Sequence, residues 1–104
     1  MAKYVLAYTG GRMAETEEEQ QASMEAWRSF LGGLGDALLD MGNPFGASAT
    51  VTANGGNGSA PNHLSGYSII AAASLEEATE KAKGAPVVAN GGGVEVYEAL
   101  EIAG

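Results

Sequence analysis

The stretch "GYSIIAAASLEEATEKAKGAP" (residues 66–86) carries the clearest strand-to-helix pattern in the chain. Residues 66–73 form a near-continuous apolar run, which is typical of a central β-strand. Ser74 stands three residues before Glu77, the spacing of a capping box at a helix start. Acidic side chains fill the first turn of the expected helix and lysines fill the last, which suits the helix dipole. The stretch therefore predicts a strand over 66–73 and a helix over 75–84.

The N-terminal part predicts the same order of elements. Residues 3–9, "KYVLAYT", read as a first strand. Thr16 and Glu19 repeat the capping-box spacing, so we expect a helix over 16–41, stopped by glycine and proline. Apolar side chains recur along it at steps of three and four, at Met24, Trp27, Leu31, Leu34, Leu38 and Met41.

Three glycines interrupt this expected first helix. Each of Gly32, Gly33 and Gly35 costs about 1 kcal/mol relative to alanine inside a helix. We expect them to allow the close approach of a packed neighbour, with a kink as the alternative.

Two further strands complete the predicted order. Residues 47–53, "ASATVTA", alternate small apolar and polar side chains, and residues 91–102 give a last strand. The order is βαββαβ, an α+β, ferredoxin-like fold with a four-stranded antiparallel sheet and two helices on one face. A doubly wound sheet is excluded because no crossover helix separates 47–53 from 66–73. The apolar strands 3–9 and 66–73 should be central and the alternating ones at the edges.

Composition and charge limit the function. A chain of 104 residues is expected to form one domain over 1–104. Its net charge of −8 opposes binding to nucleic acid and anionic membranes, so we expect neither as a partner. There is no cysteine, which excludes disulfides, thiolate metal sites and a cysteine nucleophile. The apolar run at the N-terminus is too short for a signal-peptide core, so we expect a cytoplasmic protein.

The chain also resembles a known family. The segments "LGDALLDMGNPFG" and "SGYSIIAAASLEEATEKAKGAPVVANGGGVEVYEAL" are similar to the YCII-related (DGPF) domain family of the dimeric α/β-barrel superfamily. The resemblance implies a ferredoxin-like protomer, a homodimer joined through the sheets, and a pocket between the sheet and the first helix. Founding members carry a histidine on the first helix and an aspartate after the second. Here Trp27 lies near the histidine position and Ala85 takes the aspartate position, so this acid–base pair is absent, as is the Asp-Gly-Pro-Phe signature.

The glycine-rich loop "NGGNGSAPNH" (54–63) contains the only histidine, His63. A phosphate cradle is disfavoured because a strand, rather than a helix, follows the loop and no lysine lies beside it. We interpret it as a hairpin connection. His63 is a candidate general base because histidine titrates near neutral pH, and an exposed loop residue is the alternative. No second histidine is available for a metal site, and we expect none.

Four aromatic residues are the candidate ligand-binding side chains: Tyr8, Trp27, Phe30 and Tyr67. Aromatic side chains also fill ordinary cores, so packing is the alternative interpretation. Two functions stay open. The first is binding of a small apolar or aromatic metabolite, without a cofactor, with acid–base chemistry at His63 as an extension. The second is a non-catalytic dimerisation or accessory domain.

Overall fold

The computed structural model describes residues 1–11, 14–53 and 64–102. It is an α+β fold with one four-stranded sheet, and a single 3₁₀ turn, Gly35–Ala37, follows the first helix. In chain order the elements are β1 (Ala2–Thr9), α1 (Glu17–Leu34), β2 (Leu38–Asp40), β3 (Leu64–Ala72), α2 (Leu75–Ala82), α3 (Pro86–Ala89) and β4 (Gly93–Ala99).

The sheet has the strand order β2-β3-β1-β4, and each neighbouring pair is antiparallel. The two most apolar strands, β1 and β3, are central, which confirms that part of the prediction. Their register places Tyr4 opposite Ile70 and Val5 opposite Ile69. This architecture is compatible with a ferredoxin-like fold.

The core lies on one face of the sheet. Alternate residues of the central strands point into it, and Leu6 and Ile70 are completely buried there. Helix α2 packs on this face through Ala78 and Ala82, whose small side chains allow a close approach. Helix α1 adds partly buried hydrophobic side chains, including Trp27. Both long helices therefore cover the same face of the sheet, as predicted.

Both capping boxes form at the predicted helix starts. The Thr16 hydroxyl accepts the Glu19 N–H at 3.1 Å, and the Ser74 hydroxyl accepts the Glu77 N–H at 3.1 Å. In each case the glutamate also accepts an N–H from the residue just before the cap, at 2.8 Å for Glu15 and 2.9 Å for Ala73. These bonds satisfy donors that a helix start leaves without partners.

Removing either cap should destabilise the fold measurably. We expect Thr16→Ala and Ser74→Ala each to lower the free energy of unfolding by about 1 kcal/mol, since one helix N–H loses its acceptor. Urea denaturation measures the change. Ser29→Ala, at an exposed position within α1, is the control and should leave stability unchanged or slightly raised. Equal stability of all three variants would contradict the capping role.

The second strand lies elsewhere than predicted. Helix α1 ends at Leu34 instead of continuing to residue 41, and the chain enters β2 with Leu38 opposite Ile70. Residues 47–53 form no strand. The edge of β3 is already occupied by β2 and by a bridge between Pro44 and Gly66, and the small side chains of 47–53 offer little apolar area to displace them. The prediction for this segment was wrong.

The other boundaries differ less. The last strand covers Gly93–Ala99, shorter than the predicted 91–102. Leu100 and Ile102 lie beyond it and are exposed. A short helix that the sequence did not predict, α3, begins at Pro86 and buries Val87 in the core. Proline is favourable at this first helical position because its missing N–H would have no helical partner.

No neighbouring element of the described chain approaches Gly32, Gly33 or Gly35 closely, so that prediction was wrong. A Cβ atom at Gly32, Gly33 or Gly35 would meet nothing within 4 Å. Gly35 has a positive φ of 55° and ends the helix, with its N–H donating to the Gly32 carbonyl. No contact among the described residues explains Gly32 and Gly33.

The opposite face of the sheet has no helix packed on it within the described ranges. Alternation along the central strands directs Val5, Ala7, Ile69 and Ala71 to this face. At the sheet edge, Tyr97 lies opposite Val5 and is 53% exposed. The centre of this face is therefore apolar, and Lys3 and Glu95 lie on the same face to either side of it. None of the described helices is long and apolar enough to cross a membrane.

Candidate functional site

A cleft of about 430 Å³ lies between α1 and one end of the sheet. Four parts of the chain form its walls: the end of β1 with the following glycines, one side of α1, the segment 41–44, and the start of β3. Val87 and Asn90, at α3, close one side. The volume lies within the range of small-molecule sites, roughly 300–1,000 Å³.

An aromatic pair forms the apolar wall. The rings of Tyr8 and Trp27 lie 4.8 Å apart between centroids at an interplanar angle of 69°, an edge-to-face contact. Such contacts are favourable because the positive edge of one ring meets the negative face of the other. Phe30 contacts Trp27 at 6.0 Å and 78°, away from the cleft. The pair thus holds the Trp27 ring in a defined orientation beside the cavity.

A chain of hydrogen bonds forms the polar part of the cleft. The Tyr8 hydroxyl donates to Ser68 Oγ at 2.8 Å. The Ser68 hydroxyl in turn donates to the backbone carbonyl of Met41, also at 2.8 Å. Tyr8, Ser68 and Met41 all line the cleft. Tyr8 is 5% exposed and Ser68 is 1% exposed, so little water competes for these bonds.

The environment keeps Tyr8 protonated. Burial raises the pKa of Tyr8 above its ordinary value. At neutral pH the residue is therefore a neutral phenol, which can donate one hydrogen bond and accept others. It is poorly suited to act as an anion or a general base near pH 7.

The segment 41–45 is attached to β3 and carries one side of the cleft. Phe45 donates its N–H to the Ser65 carbonyl at 2.9 Å, and Asn43 accepts the Tyr67 N–H at 3.3 Å. Gly42 has a positive φ of 74° and lies directly against β3. The Phe45 and Tyr67 rings stack at 5.7 Å. These contacts fix the Met41 carbonyl beside Ser68.

The described residues that line the cleft include no charged side chain and no histidine. A charged ligand would lose its hydration there without gaining an ion pair, which is unfavourable. Among residues 1–11, 14–53 and 64–102, no group of three or more His, Asp or Glu side chains is placed to hold a metal ion. The cleft is chemically matched to a neutral molecule.

The structure brings together three of the four predicted aromatic residues. Tyr8, Trp27 and Tyr67 line the cleft, but the register places Tyr67 beside Ala7, on the sheet face opposite Tyr8. Phe30 packs behind Trp27 and beside Gly84, and it lines a separate, wider groove. His63 lies outside the described residues, so an acid–base role for it stays a hypothesis.

Sequence reasoning missed the contribution of Ser68 and Met41. Ser68 is a polar residue within the apolar run 66–73, and alternation places it on the same face as Ile70. A hydroxyl in that position is expected to need a buried hydrogen-bond partner. That signal could have identified Ser68 as a candidate residue, but nothing in the sequence pattern could have identified its hydrogen-bond partners.

Comparisons with known proteins give no further constraint on function. No family model matches the sequence, and neither a curated protein nor a solved structure matches it significantly.

Proposed function

We propose that the protein binds a small, neutral, apolar or aromatic molecule in the cleft between α1 and the sheet. The observation that carries this proposal is the absence of charge among the described lining residues, combined with the Tyr8–Trp27 pair at 4.8 Å. Aromatic surface next to a few fixed polar groups is the usual composition of small-molecule sites.

The geometry supports a preformed site. The Trp27 ring is held by Tyr8 on one side and by Phe30 on the other. The opposite wall is held by the backbone bonds that join 43–45 to β3. Because contacts within the protein hold these groups in place, binding loses less conformational entropy than it would in a flexible site.

Fluorescence of Trp27 tests the proposal directly, because it is the only tryptophan in the chain. We expect p-cresol and similar neutral aromatic probes to change this fluorescence saturably. Benzoate should bind at least about tenfold more weakly, since its charge finds no partner in the cleft. Equilibrium dialysis of the same probes checks that the signal reports binding.

A pair of variants, one with the cleft blocked and one with it open, tests whether the probes bind in the cleft. Ser23 lines the cleft from α1, whereas Ser29 lies outside it on the same helix. Ser23→Phe should fill the cavity and abolish the saturable change, and Ser29→Phe should leave it intact. Absence of binding by every neutral probe, or equal binding by the two variants, would overturn the proposal.

We also propose that the protomer forms a homodimer through the uncovered face of the sheet. The support is the apolar character of that face, to which Val5 and Ile69 contribute side by side. Soluble monomers seldom leave a large contiguous apolar patch exposed. A ferredoxin-like protomer paired in this way would be a dimeric α/β barrel, and the resemblance to the YCII-related family favours the same arrangement. Dimer formation without any ligand binding would favour the non-catalytic dimerisation function.

A further inference from the structure

We propose that the cleft selects ligands carrying a hydrogen-bond donor, and that this donor is received by the hydroxyl oxygen of Tyr8. The inference rests on the proposed function and names the class of ligand, a phenol or a similar neutral aromatic alcohol or N–H compound. Ethers, ketones and other molecules that can only accept a hydrogen bond would be discriminated against.

The direction of the hydrogen-bond chain follows from its last member. The Met41 carbonyl can only accept, so the Ser68 hydroxyl must donate its proton to it across 2.8 Å. Ser68 then has no proton left for Tyr8. The 2.8 Å contact between the two hydroxyls therefore requires Tyr8 to donate.

This direction fixes what Tyr8 can offer a ligand. A phenol hydroxyl has one proton and two acceptor positions. The Tyr8 proton is used in the hydrogen bond to Ser68. The Tyr8 oxygen can therefore only accept a hydrogen bond from a ligand in the cleft. To receive a hydrogen bond from Tyr8, an acceptor-only ligand would have to break the buried bond to Ser68, leaving a hydroxyl without its partner.

A second hydroxyl of the cleft also donates its proton within the protein. Ser65 lines the cavity, and its hydroxyl donates to the backbone carbonyl of Tyr8 at 3.2 Å. Its oxygen can therefore also accept. The side chains of Ser23, Asn43 and Asn90 can both donate and accept, and the Trp27 N–H can donate. The preference expected from Tyr8 therefore concerns ligands whose polar group reaches its hydroxyl.

A pair of similar probes tests the inference on the unmodified protein. p-Cresol carries a donor, whereas 4-methylanisole has the same aromatic frame and only an acceptor. We expect p-cresol to bind about fivefold more tightly, the effect of one hydrogen bond gained. Trp27 fluorescence and equilibrium dialysis measure both affinities.

Two variants test whether the preference arises from the hydrogen-bond chain of Tyr8, Ser68 and Met41. Tyr8→Phe keeps the ring beside Trp27 and removes the hydroxyl, so the preference for p-cresol should fall to near unity. Ser68→Ala removes the acceptor of the Tyr8 proton, so 4-methylanisole should gain affinity relative to p-cresol. Ser29→Ala, on α1 but outside the cleft, should retain the preference. Thermal denaturation of each variant checks that it is folded.

The failure of this inference differs from the failure of the proposed function. Equal binding of the two probes by the unmodified protein overturns the donor preference while leaving the cleft a binding site. A preference that persists unchanged in Tyr8→Phe overturns the assignment to Tyr8. If neither these probes nor other neutral aromatic probes bind, the proposed function fails and the inference fails with it.

Discussion

Replacing Gly42 with alanine should destabilise the protein by about 3 kcal/mol or more. A Cβ atom at this position would lie 1.7 Å from the carbonyl oxygen of Tyr67 and 2.6 Å from its carbonyl carbon. Both atoms belong to the backbone of the central strand β3, which cannot move without disturbing its pairing with β1. The positive φ of 74° at Gly42 adds strain for any residue with a side chain.

The consequence extends to the cleft. Met41, whose carbonyl ends the hydrogen-bond chain, directly precedes Gly42. Displacing the segment should therefore weaken binding of p-cresol as well as stability. Urea denaturation gives the change in the free energy of unfolding, and Trp27 fluorescence gives the change in binding.

Gly33→Ala is the matched control. The same substitution in α1 meets nothing within 4 Å, so it should raise stability by up to about 1 kcal/mol through helix propensity. A Gly42→Ala variant as stable as the unmodified protein would show that the segment 41–45 is not seated against β3.

Replacing Val5 with aspartate should dissociate the proposed homodimer. Val5 lies on the uncovered face between Ile69 on one neighbouring strand and Tyr97 on the other. A carboxylate there would be buried among apolar groups in the dimer, which costs several kcal/mol. We expect the dissociation constant to rise at least about 100-fold, which corresponds to roughly 2.7 kcal/mol.

Light scattering at micromolar concentration measures the effect. The unmodified protein should have about twice the protomer mass of 10.5 kDa, and Val5→Asp should have the protomer mass. The dimer should persist in high salt, because apolar burial is not screened by ions. Met24→Asp adds the same charge on the exposed side of α1 and should leave the dimer intact. A monomeric unmodified protein, or a dimer unaffected by Val5→Asp, would contradict the proposal.

Local patterns were enough to identify much of the fold. The cap at Thr16 depends on a residue three positions away, and so does the cap at Ser74. The central position of β1 and β3 follows from apolar side chains on both of their faces. These features depend on neighbours in sequence or on average polarity, which can be judged before any tertiary contact is known.

The second strand was not predictable in this way. A spacing of three and four residues continues from α1 through Leu38 to Met41, so the apolar pattern does not show where the helix ends. Leu38 forms a strand because β3 offers it Ile70 as a partner. Residues 47–53 have a strand-like alternation, but the place beside β3 predicted for them is occupied by β2. Tertiary competition for the edge of β3 decided between them.

The candidate site shows the same division. The sequence by itself determined the candidate ligand-binding side chains Tyr8, Trp27 and Tyr67, which are aromatic and uncharged. Only the tertiary structure decided that Tyr8, Ser68 and Met41 form one hydrogen-bond chain. Tyr8 and Ser68 are 60 positions apart, and a hydrogen bond forms only when such groups lie about 3 Å apart. No local pattern encodes those distances, because they arise from the pairing of β1 with β3 and the seating of Gly42.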